Sequence, residues 1–577
     1  MKINKILLTA GAAFSMFAMG SCVGDLDLLP TDPSAVTPGD FASDPKGYLE
    51  QAAADVYLSF ATFGPNGNNI LDFDGGMTTF QRAVFYLEEV PTDEATWNST
   101  EDPDLNIMTY GTVASNNQAL AGIYARLFVN IAICNQFIQT VNDGYFHLDT
   151  DALKSEADEF IRQAKILRGG AYFYAIDLFG NVPWADEHVL MGEVAPQLST
   201  NFQEGRRQVF NMVTNDLEDI VAWYKANDPN NRPPYGYVGL DVAESILVKF
   251  YLNAEVYTGT AMWDKCLEHA QAVIGRLGTG GFQNSGLCNS YFQNFGFNNH
   301  EFAIGGSSSV NEMIWTIPQR EPSNNSFLGQ DTGWGLKSWA NGTFMCNAWI
   351  GNSTDQDPFN CNTADDYNSG NGWKCMVTRP QFVETFYWNE ATMATSPDQR
   401  VRFWRTSKDG FELQNSDLIL GNWGRNGYLA VKFTNWAFDD NGEINHTASP
   451  TPTSELSVDY PVIRLAEIYL SAAEAILHGA GNASQALTYV NYIRERAGMD
   501  PFTEINLATL QDERTRELYT ENVRRTDLIR YGKWVSGYTW SWKGNVQQGT
   551  DYASNFNVYP IPLVQVTSNG YTQNPGY

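Results

Sequence analysis

Over most of the first half of the chain, apolar residues recur every three or four positions, the spacing of helices with one buried face. In DEFIRQAKILRGGAYFYAIDLFGNVPW, Phe160, Ala164, Leu167, Ala171, Ala175 and Leu178 fall on one such face. Gly180 and Asn181 then provide a C-terminal stop, with Pro183 just beyond. Gly169 and Gly170 lie inside this helix, where each costs up to about 1 kcal/mol against alanine. A close helix crossing is the expected compensation. Two further segments, LNAEVYTGTAMWDKCLEHAQAVIG and LSAAEAILHGAGNASQALTYVNYIRERAG, share one pattern: a helix with an Ala-Glu pair, a glycine turn, then a second helix. Alanines at the crossing points let paired helices approach closely, the physics of tetratricopeptide-type hairpins. With QVFNMVTNDLEDIVAWY as another helix, the expected fold class is mostly α, a tetratricopeptide-like helical-hairpin scaffold. Periodicity fades where Gly, Asn, Ser and aromatics take over, and it returns near Tyr460. The expected organisation is a helical scaffold over 41–280, an irregular, loop-rich ligand-binding subdomain over 281–459, and a last hairpin with a C-terminal tail over 460–577.

The first forty residues follow a different pattern. Lys2 and Lys5 precede an apolar run from Ile6 to Ala18. A membrane-spanning helix needs roughly 20 apolar residues, so this run is too short for one, and it has the charged and apolar regions of an export signal. Cys22 follows Met19-Gly20-Ser21 and has two readings. It is either an ordinary cysteine near a signal-peptidase site or the acylated first residue of a bacterial lipoprotein, with 1–21 as the signal peptide. The small residues before it favour the second reading, although Met at the outer position is atypical. Acyl chains, at about 0.8 kcal/mol per buried methylene, would then hold the chain to a membrane. Residues 22–40, with Asp25, Asp27, Pro30, Pro33 and Pro38, read as a tether.

Composition narrows the partners. A formal net charge of −30 over 577 residues argues against nucleic acid and against docking on an anionic bilayer. Seven cysteines are too few and too scattered for a disulfide scaffold. Cys346, Cys361 and Cys375 share one loop-like stretch, which allows a bridge in an oxidising compartment, but spacing does not choose the pair. There is no H-E-x-x-H, no G-x-x-x-x-G-K-[ST] and no G-x-S-x-G, and the six histidines are isolated. No motif calls for a cofactor or a metal. LDFDGG at Asp72 and Asp74 and FDDNGE at Asp439 faintly suggest calcium loops, but neither has the ligand run of an EF-hand, so turn chemistry is the expectation. Glu88, Glu89, Asp93 and Glu94 in YLEEVPTDEATWNS are the first carboxylates to consider for a glycosidase pair. They read as a solvated acidic loop. Aromatic supply is more informative. Trp315, Trp334, Trp339, Trp349 and Trp373 stand among Asn, Gly, Asp and Ser. Sugars present flat C–H faces edged by hydroxyls, which aromatic rings and Asn, Asp, Gln or Arg side chains recognise together.

Four stretches, RQAKILRGGAYFYAIDLFGNVPW, YPVIRLAEIYLSAAEAILHGAGNASQALTYVNYIRERAG, DERTRELYTENVRRTDLIRYGKW and the ending VYPIPLVQVTSNGYTQNPGY, together resemble the SusD/RagB family of surface nutrient-binding lipoproteins. Gly169-Gly170 departs from the usual helix-forming pair. The resemblance implies four tetratricopeptide-like hairpins beneath an irregular ligand-binding subdomain (SusD-like). It also implies a role without catalysis: capturing oligo- or polysaccharide at the cell surface and delivering it to a SusC-like TonB-dependent transporter of the outer membrane. Asp25 and Asp27 fit the acidic stretch that sends such lipoproteins, acylated at Cys22, to the outer face. By the same resemblance Trp97, Asn98 and Trp373 belong to segments that often contact glycan. Tyr291, Trp334 and Trp339 join them as candidates from composition and position. The alternatives are the same transporter partnership with peptide or glycopeptide cargo, which the tryptophans disfavour, or a surface lipoprotein glycoside hydrolase.

Overall fold

The computed structural model describes residues 43–62, 79–97, 103–189, 192–319, 368, 376–386, 396–400, 403–405, 428–451 and 458–577. Helices dominate, as the periodicity predicts. The first half holds α1 (Pro45–Ala61), α2 (Phe80–Glu88), α3 (Gln118–Asn142), α4 (Asp151–Phe179), α5 (Phe202–Asn227), α6 (Leu240–Leu252) and α7 (Trp263–Leu277). The last part holds α8 (Leu465–Ala475), α9 (Ala483–Arg496), α10 (Leu507–Leu518) and α11 (Arg524–Arg530). Their starts are written locally. Asn117, Thr150, Asn201, Asn482 and Asn506 cap α3, α4, α5, α9 and α10 by accepting hydrogen bonds from first-turn amides. α4 ends where expected, at Gly180 with φ 68°, a left-handed angle that glycine adopts without penalty.

Neighbouring helices pack as hairpins: α3 on α4, α6 on α7 and α8 on α9, with α7 also packing on α8 and so joining the two helical stretches. Ala466, Ala472, Ala473 and Ala475 of α8 are fully buried, which fits small residues at crossings. α3 is the one helix among the described residues long and apolar enough to cross a membrane. Its Leu120, Ile123, Leu127, Ile131 and Ile138 are instead buried in the protein core.

The glycine pair of α4 has two explanations rather than one. A Cβ at Gly169 would meet the Leu217 methyls of α5 at 3.1 Å, the expected helix crossing. At Gly170 a Cβ would run into the Trp315 indole. That ring comes from a strand, β2 (Met313–Ile317), which pairs antiparallel with β6 (Tyr460–Arg464). Trp315, expected among the loop aromatics, is therefore a core residue, packed beside Phe60 and Phe80. Two smaller antiparallel ladders join β1 (Thr96–Trp97) to β3 (Met376–Val377) and β4 (Phe403–Arg405) to β5 (Tyr428–Ala430).

The acidic loop after α2 is not solvated. Glu88, Glu89, Asp93 and Glu94 are each no more than 1 % exposed, because α11 brings cations against them. Arg524 grips Asp93 with two 2.8 Å hydrogen bonds, and Arg525 lies between Glu88 (3.3 Å) and Asp177 (2.8 Å). A second buried network ties the loop-rich part to the last helices. Arg464 of β6 donates to Glu521 (2.7 Å), Glu312 (2.8 Å) and Glu517 (3.1 Å). Arg496 reaches Glu312 at 3.0 Å and also binds Glu517. Arg400 joins Asp398, Glu513 and Glu517. Such groups are tolerated inside only because nearly every charge is matched and hydrogen-bonded.

Candidate ligand-binding site

Two segments singled out from sequence converge at the β1–β3 ladder. Thr96 pairs with Val377 and Trp97 with Met376. In an antiparallel pair the chain leaving Trp97 toward Asn98 and the chain arriving at Met376 from Trp373 do so at the same end of the ladder. Asn98, Trp334, Trp339 and Trp373, with Cys346, Cys361, Cys375 and the Asp72–Asp74 stretch, lie outside the described residues, as does Cys22.

The base of this site is rigid. The Trp97 backbone is clasped by Thr109, whose hydroxyl accepts from the Trp97 amide (3.0 Å) and donates to its carbonyl (3.3 Å). Arg379, two residues past β3, donates through its amide to the Asp93 carbonyl (3.2 Å) and through Nη2 to the Thr109 carbonyl (2.7 Å). Burial pushes the Arg379 guanidinium down to about 10, although Tyr552 and Asp93 oppose the shift. Asp93 also accepts from the Tyr538 hydroxyl at 2.7 Å, so residues from α2 to the C-terminal tail converge beneath one ladder.

Two carboxyl pairs lie under the same floor. Burial, then the nearby Asp177, pushes the Glu88 carboxyl well up. Burial also pushes Asp177 up, but Arg525, hydrogen bonds from Glu88 and Tyr257, and Arg206 together outweigh it and keep the carboxyl below the usual carboxylate range. Burial and Glu89 likewise push Glu94 well up. These carboxylates are set against arginines and are at most 1 % exposed or, for Asp177, 2 %, with no open face toward solvent.

Two of the sequence candidates are core residues. Trp97 is 2 % exposed, edge-on to Tyr86 and beside Arg82. Tyr291 is fully buried, and its hydroxyl donates to the Glu517 carbonyl at 3.2 Å. A ring with no exposed face cannot stack on a sugar, so neither makes the direct contact expected of it; the fold buries both beneath later segments. Clefts do open beside Tyr291. One, of about 380 Å³, is lined by Ser290, Phe292, Asp398, Gln399, Phe438 and Glu443. The other, of about 330 Å³, is lined by Asn289, Gln293, Ser307, Ser308, Ser309 and Asp440. Between them, the Asp439 carboxylate accepts from the Asn441 (2.9 Å) and Glu443 (3.0 Å) amides. That is turn chemistry, as the sequence suggests. Sequence reading missed the positioning residues Arg379, Arg524 and Arg525. For Arg524 and Arg525 the only signal is the density of arginines in a helical stretch, which looks equally like a solvated face; Arg379 carries none.

The described residues form a helical-hairpin scaffold whose β1–β3 ladder rests on a buried ionic base. Residues 311–577 match the model of the SusD family. The chain is 27 % identical to the starch-binding protein SusD of Bacteroides thetaiotaomicron over 100 % of its own length and 99 % of that protein. A laminarin-binding SusD-like protein shares the fold at a TM-score of 0.63 and 19 % identity, over 92 % of this chain and 99 % of that one. Surface glycan-binding protein A of Bacteroides thetaiotaomicron, solved with laminarihexaose, does so at 0.59 and 19 %, with the same coverage. The chain is thus similar to SusD-type proteins over its full length, and its C-terminal part matches the family's model.

Proposed function

We propose that the protein is a non-catalytic, cell-surface lipoprotein of the outer membrane, anchored through Cys22, that captures oligo- or polysaccharide and passes it to a SusC-like TonB-dependent transporter. The carrying observation is the β1–β3 register, which pairs Trp97, one residue from Asn98 along the chain, with Met376, three residues from Trp373. An amide and an indole suit the hydroxyl edge and apolar face of one sugar. The relatives named for starch and laminarin binding support the same ligand class. Trp334 and Trp339 complete the proposed contacts from the loop-rich subdomain. Trp97 acts beneath them as a positioning residue, fixed by Thr109 and Arg82.

Affinity electrophoresis through gels containing starch or laminarin tests this reading. Trp373→Ala and Asn98→Ala are each expected to weaken retention roughly tenfold with an unchanged melting temperature. Retention equal to that of the unsubstituted protein would overturn the site. Reducing ends released from the polysaccharide during incubation would overturn the non-catalytic role.

A further inference from the structure

Most tryptophans with described side chains are buried, Trp97, Trp184, Trp315, Trp534, Trp540 and Trp542 among them. Trp223, near the end of α5, is different: 39 % of its surface is exposed, and Tyr237 in the following loop is exposed to the same extent. Both rings are held in place. The Arg162 guanidinium lies 3.5 Å over one face of Trp223 and is itself fixed on Glu159 at 2.8 and 3.0 Å. The other Glu159 oxygen accepts from Tyr224 (2.6 Å) and Gln163 (3.1 Å). Gln163 in turn accepts from the Tyr57 hydroxyl at 2.7 Å, and the Tyr57 ring leans on Tyr237 with centroids 5.0 Å apart. Contacts therefore run unbroken from Trp223 through Arg162, Glu159, Gln163 and Tyr57 to Tyr237.

The loop carrying Tyr237 is equally constrained. Pro233 and Pro234 limit it, Gly236 turns it at φ 85°, the Tyr237 amide donates to the Pro234 carbonyl at 3.0 Å, and Tyr235 donates to Asp459. Rigid exposed rings lose little side-chain freedom on binding. Among the described residues, neither the Trp223 Nε1–H nor the Tyr237 hydroxyl has a hydrogen-bond partner, so both tips are available to a ligand.

The surroundings favour sugar over an apolar protein surface. The solvent face of α5 around Trp223 presents Asn215, Asp219 and Asn227, whose amide and carboxylate groups suit hydroxyls, with Met212 exposed further back on the same face. Asn227 itself donates to the Trp223 carbonyl at 2.8 Å. The net charge of −30 disfavours an anionic polymer. We propose that Trp223 and Tyr237 form a second glycan-binding surface, for neutral hexose-based chains, on the α1–α4–α5 side of the scaffold and built on elements other than the β1–β3 ladder. This rests on the glycan-binding reading and extends it: one polymer held at two points dissociates more slowly than its single contacts would allow.

The test compares polymer with oligosaccharide. In starch- or laminarin-containing gels, the Trp223→Ala/Tyr237→Ala double variant is expected to lose about tenfold or more in apparent affinity with its melting temperature unchanged. In calorimetric titration with laminarihexaose or maltohexaose, it is expected to lose one of two binding equivalents, and Trp223→Phe should keep most of the polymer affinity. Unchanged retention and unchanged stoichiometry in the double variant would overturn the second surface. Unchanged glycan binding with loss of co-purification with a membrane transporter would overturn it too, and would make this face a protein-docking surface. If the unsubstituted protein binds no polymer at all, the glycan reading itself falls, and that failure is visible before any substitution is made.

Discussion

Gly170→Ala tests the most tightly packed point of the scaffold. A Cβ at this position would come within 2.6 Å of Trp315 Cζ3 and nearer still to Cη2. The indole has little freedom to retreat. Phe60 and Phe80 lie against it, with centroids 6.1 and 6.4 Å away, and its backbone pairs with Ile463 in the β2–β6 ladder. Forcing a methyl into such a site costs typically 1–3 kcal/mol, and the rigid ring puts this case near about 3. Replacing a mid-helix glycine by alanine returns about 1 kcal/mol. The net expectation is a loss of about 2 kcal/mol. Gly169→Ala is the internal control: its Cβ would meet only the Leu217 methyls at 3.1 Å, which can rotate away, so the helix-propensity gain should roughly offset the contact. Urea unfolding followed by tryptophan fluorescence measures both. Trp315→Phe in the Gly170→Ala background should recover part of the loss, as a double-mutant cycle would show. A Gly170→Ala protein as stable as the parent, or a Gly169→Ala protein harmed more, would refute the packing argument.

Removing the Arg464 guanidinium, as Arg464→Met, leaves Glu312, Glu517 and Glu521 short of a buried partner. Breaking such an arrangement costs about 3–5 kcal/mol; a loss under about 1 kcal/mol in urea titration would mean that the other cations suffice. Acid stability should report on Glu513, where burial opposes ionisation but Arg400, Arg516 and Arg494 outweigh it and hold the carboxyl at about 2 rather than its ordinary 4.5. Its contribution is therefore complete above about pH 4.5 and is lost as pH falls toward 2. Glu513→Gln should be less stable at pH 6 and should show a shallower decline through that window. A decline parallel to that of the parent protein would rule out Glu513 as a source of the acid sensitivity.

Helix positions were largely legible because they depend on neighbours three and four residues apart. The apolar stripe of α4, its stop at Gly180 and the glycine turns between hairpin helices are all local patterns, and the structure keeps them. The resemblance to SusD-type proteins rests on the same helical segments and the C-terminal ending, and the likeness to a starch-binding relative spans the full chain. The clasp of the site was not legible. Glu88, Glu89, Asp93 and Glu94 look like a solvated loop from their own stretch alone. What makes them core residues is an arginine pair 431 residues beyond Asp93, and nothing near the loop announces it.

By itself, the sequence determined where helices run, where they stop, that the net charge disfavours polyanionic partners, and that aromatics suited to sugar are in supply. Only the tertiary structure decided which rings face water. Trp97, Tyr291 and Trp315 have the same composition around them as a sugar-binding ring would, yet strand pairing and helix packing close over all three. Trp223 sits in an ordinary helical stretch and Tyr237 in a short proline-bearing loop, and both remain open. Exposure of a large ring is fixed by what later segments lay against it, and those contacts join residues too far apart in the chain for any local pattern to record.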